Sequence, residues 1–162
     1  MNLARPPGPI LVVKHSRSGS TDRLVDALVD GTELAQEATG VTVPVLVVGC
    51  FDAGATEVLS ASAVVLATPA NFGYMSGAMK DFFERIYHPC LERTTGMPYV
   101  LVVKGGTDTS GAVTSVERIV AGLRWKGVLP PLTVTGPLGE TDLDQAREIG
   151  ATLYAGLAGG IF

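Results

Sequence analysis

The sequence predicts an α/β three-layer sandwich in which a five-stranded parallel sheet carries helices on both faces. Short β-branched apolar runs alternate along the chain with segments of helical periodicity. The runs are continuous rather than alternating, which is typical of strands that are covered on both faces. A length of 162 residues fits a single domain, 1–162.

Five apolar runs predict the strands. Four are strong and the fifth is weaker, and all are flanked by turn-forming residues. They are residues 10–13, 43–48, 63–67, 99–103 and the weaker run 132–134.

Helical spacing is clearest in residues 76–87, where Met79, Phe82, Phe83 and Ile86 fall at i, i+3, i+4 and i+7. This pattern predicts that both phenylalanines lie in the core. Similar patterns predict helices around 24–35, 113–123 and 143–157, with a short helix at 56–60, and a glycine at position 31 is expected to weaken the middle of the first.

Charge and hydropathy exclude several classes of protein. Twelve basic and sixteen acidic residues give a net charge of −4, which argues against a nucleic-acid partner. The longest apolar stretch, 41–51, is interrupted by Thr42 and Pro44 and is about half the ~20 residues of a membrane span. No signal-peptide core is evident, and two cysteines are too few for a disulfide framework. We therefore expect a cytoplasmic protein that does not insert into a membrane.

The first candidate site follows the first strand. Ser16, Ser18, Ser20 and Thr21 surround Gly19 just before a helix, and a helix N-terminus attracts anions through its unpaired amides. One hydroxyl residue would suffice for a helix cap, whereas four in six positions favour a phosphate site. Arg17 either pairs with that phosphate or is solvated.

Other phosphate chemistries and metal sites do not match. The chain has neither the lysine-containing loop of nucleoside triphosphatases nor G-x-G-x-x-G. Two histidines and two cysteines match no zinc spacing, and no catalytic nucleophile, base or metal set is indicated. These features predict a phosphate that is bound and not broken.

Two further loops are expected at the same edge of the sheet, because the carboxyl ends of parallel strands meet there. Residues 68–77, TPANFGYMSG, follow the third strand and carry the aromatic residues Phe72 and Tyr74. Residues 104–111, KGGTDTSG, follow the fourth strand and add backbone amides with little side-chain bulk. Together these loops predict a slot for a flat ring.

These motifs resemble the flavodoxin-like FMN-binding family. Residues 16–21, SRSGST, are similar to its FMN phosphate loop, and residues 68–82 are similar to the flavin loop and following helix of its NAD(P)H-dependent quinone reductases, including WrbA-like proteins. The resemblance implies a strand order of 2-1-3-4-5. It implies an FMN site formed by Ser16, Arg17, Ser18, Gly19, Ser20, Thr21, Pro69, Ala70, Asn71, Phe72, Gly73, Gly105, Gly106 and Thr107, with Tyr74, Lys104 and Asp108 on the substrate side.

The resemblance implies a function in which the flavin itself performs the chemistry. The first hypothesis is an FMN-dependent oxidoreductase that takes hydride from NAD(P)H and reduces a quinone or similar small acceptor. The second is a flavodoxin-type electron carrier that docks to a redox protein. The mild charge of −4 favours the first hypothesis, and self-association into a homo-oligomer stays open.

Overall fold

The structure, a computed structural model, describes residues 7–162. The first six residues of the predicted domain 1–162 lie outside the described residues. The strands are β1 (Ile10–Lys14), β2 (Val45–Gly49), β3 (Ala63–Asn71), β4 (Tyr74–Met75), β5 (Pro98–Gly105), β6 (Lys126–Gly127) and β7 (Leu132–Thr135). The helices are α1 (Ser20–Thr39), α2 (Ala55–Ser60), α3 (Gly77–Cys90), α4 (Ser110–Gly122) and α5 (Glu140–Ala158).

The sheet has the predicted order, with its fifth strand divided in two. β2, β1, β3 and β5 lie side by side and are parallel. Both β6 and β7 pair in parallel with β5, β6 with its beginning and β7 with its end. The prolines at 130 and 131 lie between these two short strands and cannot donate a ladder hydrogen bond, which accounts for the break.

Two short strands, β4 and β6, were not expected from the sequence. β4 pairs with the end of β3 in antiparallel register, Ala70 with Met75 and Asn71 with Tyr74. The loop that was expected after the third strand is therefore a β-hairpin, and it extends past the sheet.

Two apolar clusters fill the space between the sheet and its helices. Leu11 and Leu66 face α3, where Phe82 and Phe83 are buried as predicted. Alternate residues such as Ile10 face the opposite cluster, which is formed with α1 and α5. The three-layer architecture and the coverage of the central strands are thus confirmed.

α1 runs without a break through the glycine at position 31, where the sequence suggested a weak point. A Cβ there would overlap the carbonyl of Arg147 in α5, and a Cβ on Gly150 would overlap the carbonyl of Leu28. The two glycines let α1 and α5 approach each other closely, so tertiary packing offsets the low helix propensity of Gly31.

β2 departs from the predicted burial on both faces. Leu46 is 42% exposed and Val47 is 40% exposed, although their sequence resembles that of a buried strand. β2 is the edge strand, and α1 packs mainly on β1, β3 and β5, so β2 is only partly covered. None of the helices in residues 7–162 combines the length and apolar character needed to cross a bilayer.

Candidate functional site

Three loops meet at the carboxyl edge of the sheet, where β1, β3 and β5 end as neighbours. Lys14, the last residue of β1, pairs with Ala67, and Lys104 of β5 pairs with Pro69. β3 continues four residues past Ala67 to Asn71, which at the rise of a strand is about 13 Å. The first loop therefore forms a floor, and the β3–β4 hairpin forms a wall beside it.

The first loop leaves the beginning of α1 open to an anion. Gly19 is the N-cap residue in a left-handed conformation with φ of 92°, and no side chain caps the helix from this position. The Ser16 hydroxyl oxygen accepts hydrogen bonds from the amides of Gly19 (3.1 Å) and Asp22 (3.4 Å). No protein acceptor in the described part of the chain meets the amides of Ser20 and Thr21, so both can bind an anion.

Charged and polar side chains around this loop bias it towards an anion. The ammonium of Lys14 lies 2.6 Å from the Asp22 carboxylate and neutralises the one acidic group in the first turn of α1. Arg17 and Ser18 are exposed at the loop surface. The Nδ1 atom of His15 is buried without a hydrogen-bond partner in residues 7–162, which leaves an unused polar atom at the floor.

The wall is a two-residue hairpin turn. Phe72 and Gly73 have φ of 52° and 68°, and positive values at both central positions define a type I′ turn. Glycine adopts this conformation freely, whereas it is uncommon for phenylalanine. The Phe72 ring is fully exposed, so the turn holds an aromatic face out in solvent at the edge of the site.

The hairpin is held from behind by α3 and α4. The buried Ser115 hydroxyl of α4 accepts a hydrogen bond from the Met75 amide at 3.2 Å. The Thr68 hydroxyl accepts one from the amide of Ser76, which is the N-cap residue of α3. Gly111 lies so close to the Gly73 carbonyl that a Cβ would overlap it. These contacts fix the height and tilt of the wall.

The third loop turns back on itself directly after β5. A Cβ on Gly105 would come within 2.8 Å of the Asp108 carbonyl oxygen, so this tight turn needs a glycine, while the surroundings of Gly106 are open. The Asp108 carboxylate accepts hydrogen bonds from the amide and hydroxyl of Ser110, which lower its pKa. The structure thus places Asp108 at the start of α4, and Thr107 is exposed beside it.

Tyr74 lies beside α3 and α4. Its ring is half-exposed and lines a groove of about 440 Å³ between α3 and α4, together with Lys80 and Arg118. Lys104 instead folds over its own strand end and donates a hydrogen bond to the Gly105 carbonyl. Of the three substrate-side candidates, Tyr74 therefore lines the groove, whereas Lys104 and Asp108 make their contacts within the third loop.

The arrangement offers an anion cradle, an aromatic wall and a glycine-rich loop along one edge of an α/β sandwich. This places the chain in the class of proteins with a flavodoxin-type fold. It superposes on a flavodoxin from the domain Archaea with a TM-score of 0.78, 18% identity, and coverage of 93% of this chain and 99% of that one. It also superposes on a WrbA-like flavodoxin from Agrobacterium tumefaciens with a TM-score of 0.74, 18% identity, and coverage of 94% and 98%.

A larger protein contains the same fold as a part. The rubredoxin oxygen:oxidoreductase of Desulfovibrio gigas matches with a TM-score of 0.76 and 14% identity, over 97% of this chain and 38% of that one. No family model matches this sequence, and no curated protein matches it. The similarity is therefore one of fold, and it confirms the flavodoxin-like fold expected from the motifs.

Sequence reasoning missed the residues that brace the wall, Gly111 and Ser115. Both were assigned only to the loop and helix that follow the fourth strand. A glycine in the first turn of a helix often marks a close backbone approach, and that was the one available signal. Nothing in the sequence indicates which backbone it meets.

Proposed function

We propose that this chain binds FMN at the carboxyl edge of β1, β3 and β5. We further propose that it takes hydride from NAD(P)H and passes electrons to a quinone or similar small acceptor. The observation that carries the proposal is the open N-terminus of α1, with its unpaired Ser20 and Thr21 amides, directly beside a wall that presents Phe72.

The first loop fits the phosphate of FMN. The phosphate accepts hydrogen bonds from the two free amides and from the hydroxyls of Ser18 and Ser20, which lie 3.5 Å apart at the surface. Arg17 is exposed there and free to pair with the phosphate. Ser16 already uses its oxygen to shape the loop, so its role is to position the amides.

The wall and the third loop fit the isoalloxazine ring. Residues 69–73 would cover one side of the ring, and the backbone of residues 105–107 would line its polar edge. The Gly73 carbonyl is packed against Gly111, whereas nothing in the described residues surrounds the position of a Gly73 Cβ. The exposed side of the Gly73 backbone is therefore free to hydrogen-bond the ring.

Bound FMN supplies the hydride and electron transfer chemistry. The chain's own residues hold the phosphate, set the ring against the hairpin and limit the access of water from one side. We propose that donor and acceptor use the same open side in turn, so the kinetics should be ping-pong. An intersecting initial-velocity pattern would contradict this order of binding.

The decisive experiment is anaerobic mixing of the FMN-loaded protein with NADH and, separately, with NADPH. Rapid bleaching of the flavin absorbance by either nucleotide, followed by reoxidation on adding a quinone, is the expected result. Protein that holds FMN but stays oxidised with both nucleotides contradicts the reductase activity.

Electron carriage is the second candidate. The superposition on an archaeal flavodoxin favours it, and a carrier would dock to a redox protein instead of turning over a substrate. The same experiment separates the two: a carrier is inert towards NADH and NADPH and becomes reduced only through a partner reductase. A cytoplasmic location accompanies both proposals.

A further inference from the structure

The outer edge of β2 has unpaired backbone groups. The Ile10 amide donates to the Pro44 carbonyl, and the Cys50 amide donates to the Lys14 carbonyl. Even-numbered residues of this segment therefore face β1, because the backbone direction alternates along a strand. Val45, Val47 and Gly49 point their amides away from the sheet, and no acceptor within residues 7–162 meets them.

This edge lacks the features that keep edge strands apart. Residues 41–51 contain no lysine or other charged residue. Pro44 lies on the side that faces β1, so its missing amide does not protect the outer edge. Leu46 and Val47 lie on opposite faces of the strand, and each is exposed to about the same degree, at 42% and 40%.

We propose that a second copy of this chain pairs with β2 in antiparallel orientation, with Val47 opposite Val47 across a two-fold axis. In this register the Val47 amide of each copy donates to the Val47 carbonyl of the other. The Gly49 amide of each donates to the Val45 carbonyl of the other. The Val45 amide stays unpaired, because the Gly49 carbonyl that lies opposite it already accepts from the Asp52 and Ala53 amides of its own chain. The Val47 and Gly49 amides join the two sheets into one.

The two ends of β2 indicate why its partner is a second copy of this chain. Val41 before β2 is 40% exposed and Phe51 after it is 69% exposed, so both ends carry an unpartnered apolar side chain. Antiparallel pairing about Val47 brings the Phe51 end of one copy beside the Val41 end of the other. Residues 41–51 carry no charged side chain, so no like charges meet along the paired segments.

The arrangement predicts a monomer–dimer equilibrium, since a single strand pair is a small interface. Sedimentation should show the 16.8 kDa monomer at about 1 µM and increasing dimer towards about 100 µM. Hydrogen exchange at the Val47 and Gly49 amides should slow over the same range. A monomer throughout this range contradicts the proposal.

Charge substitutions at the axis test the register. Val47→Lys and Val47→Glu each place like charges opposite one another, and each should weaken self-association about tenfold. Val47 is partly exposed, so both variants should fold. An equimolar mixture of the two should recover a dimer, because only then do opposite charges meet across the axis.

The matched control is Leu34→Lys, which replaces an apolar residue that is 58% exposed and lies in a groove between α1 and α5. It should associate as the wild type does. Undiminished dimer in Val47→Lys, or no recovery in the mixture, would overturn the proposal. Capture of the edge by another protein's strand would appear as a monomer that binds only that partner, and this also overturns it. FMN content, read from absorbance, is a separate measurement.

Discussion

Gly111 shows how one missing methyl group positions the candidate site. Its Cα packs on the Gly73 carbonyl, and this contact holds the hairpin turn in place from the side opposite the open edge. Gly73 itself has a φ of 68°, which glycine adopts without strain. Two glycines from different loops thus set the position of the Phe72 ring.

Gly111→Ala should weaken FMN binding about tenfold, which corresponds to about 1.4 kcal/mol. The new methyl group overlaps the Gly73 carbonyl, so the hairpin must shift although no FMN-facing side chain is changed. Fluorescence titration with FMN measures the effect. Gly77→Ala is the matched control, because the same methyl group at the start of α3 meets open space and should leave the affinity unchanged. Equal affinity in the two variants would show that the wall does not depend on this contact.

Ionisation of Cys50 should make the free energy of unfolding fall at alkaline pH. Burial raises the pKa of its thiol to about 12, partly offset by Arg85. The unfolded chain therefore loses this proton first, so the native state loses stability as the pH rises from about 9 towards 12. Urea unfolding should show a loss of about 1 kcal/mol from this group at pH 10. Cys50→Ala should have a shallower decline between pH 7 and 10, and an identical decline would refute the assignment.

Among the secondary-structure elements, hydrophobic periodicity predicted those that bury apolar side chains. The five predicted strands, now β1, β2, β3, β5 and β7, and all five helices appear near their predicted positions, because each had to bury one face or both. The hairpin strand β4 was missed since it is two residues long and its turn has phenylalanine at a position where asparagine or glycine is usual. The exposure of β2 was missed because an edge strand and a central strand have the same apolar sequence.

Tyr154 of α5 anchors the segment that leads into β2. Its buried hydroxyl donates to the Val41 carbonyl (2.6 Å) and accepts from the Val43 amide (2.8 Å). Tyr154→Phe should lower the free energy of unfolding by about 1–3 kcal/mol, because a buried amide loses its partner. Chemical denaturation measures this loss. Tyr87→Phe is the control, because the Tyr87 hydroxyl makes no hydrogen bond within residues 7–162, and it should change the stability far less. Equal losses in the two variants would contradict the anchoring role of Tyr154.

Across the whole molecule, the order of strands and helices along the chain predicted where the site lies, but not its shape. Loops that follow neighbouring parallel strands must meet at one edge, so three separate motifs could be placed together from the sequence. The height of the wall depends on how far β3 extends past β1, and its tilt depends on the contact with α4. Both are long-range properties that no local pattern contains. The orientation of Tyr74 into the groove between α3 and α4 is another such long-range property.

We propose that the carboxyl edge holds FMN by its phosphate at the start of α1. Titration of the purified apoprotein with FMN and with riboflavin, which lacks the phosphate, tests it most directly. We expect FMN to bind with quenching of its fluorescence and riboflavin to bind at least about tenfold more weakly, since the helix amides lose their anion. No uptake of FMN, or equal affinity for the two flavins, would contradict the claim.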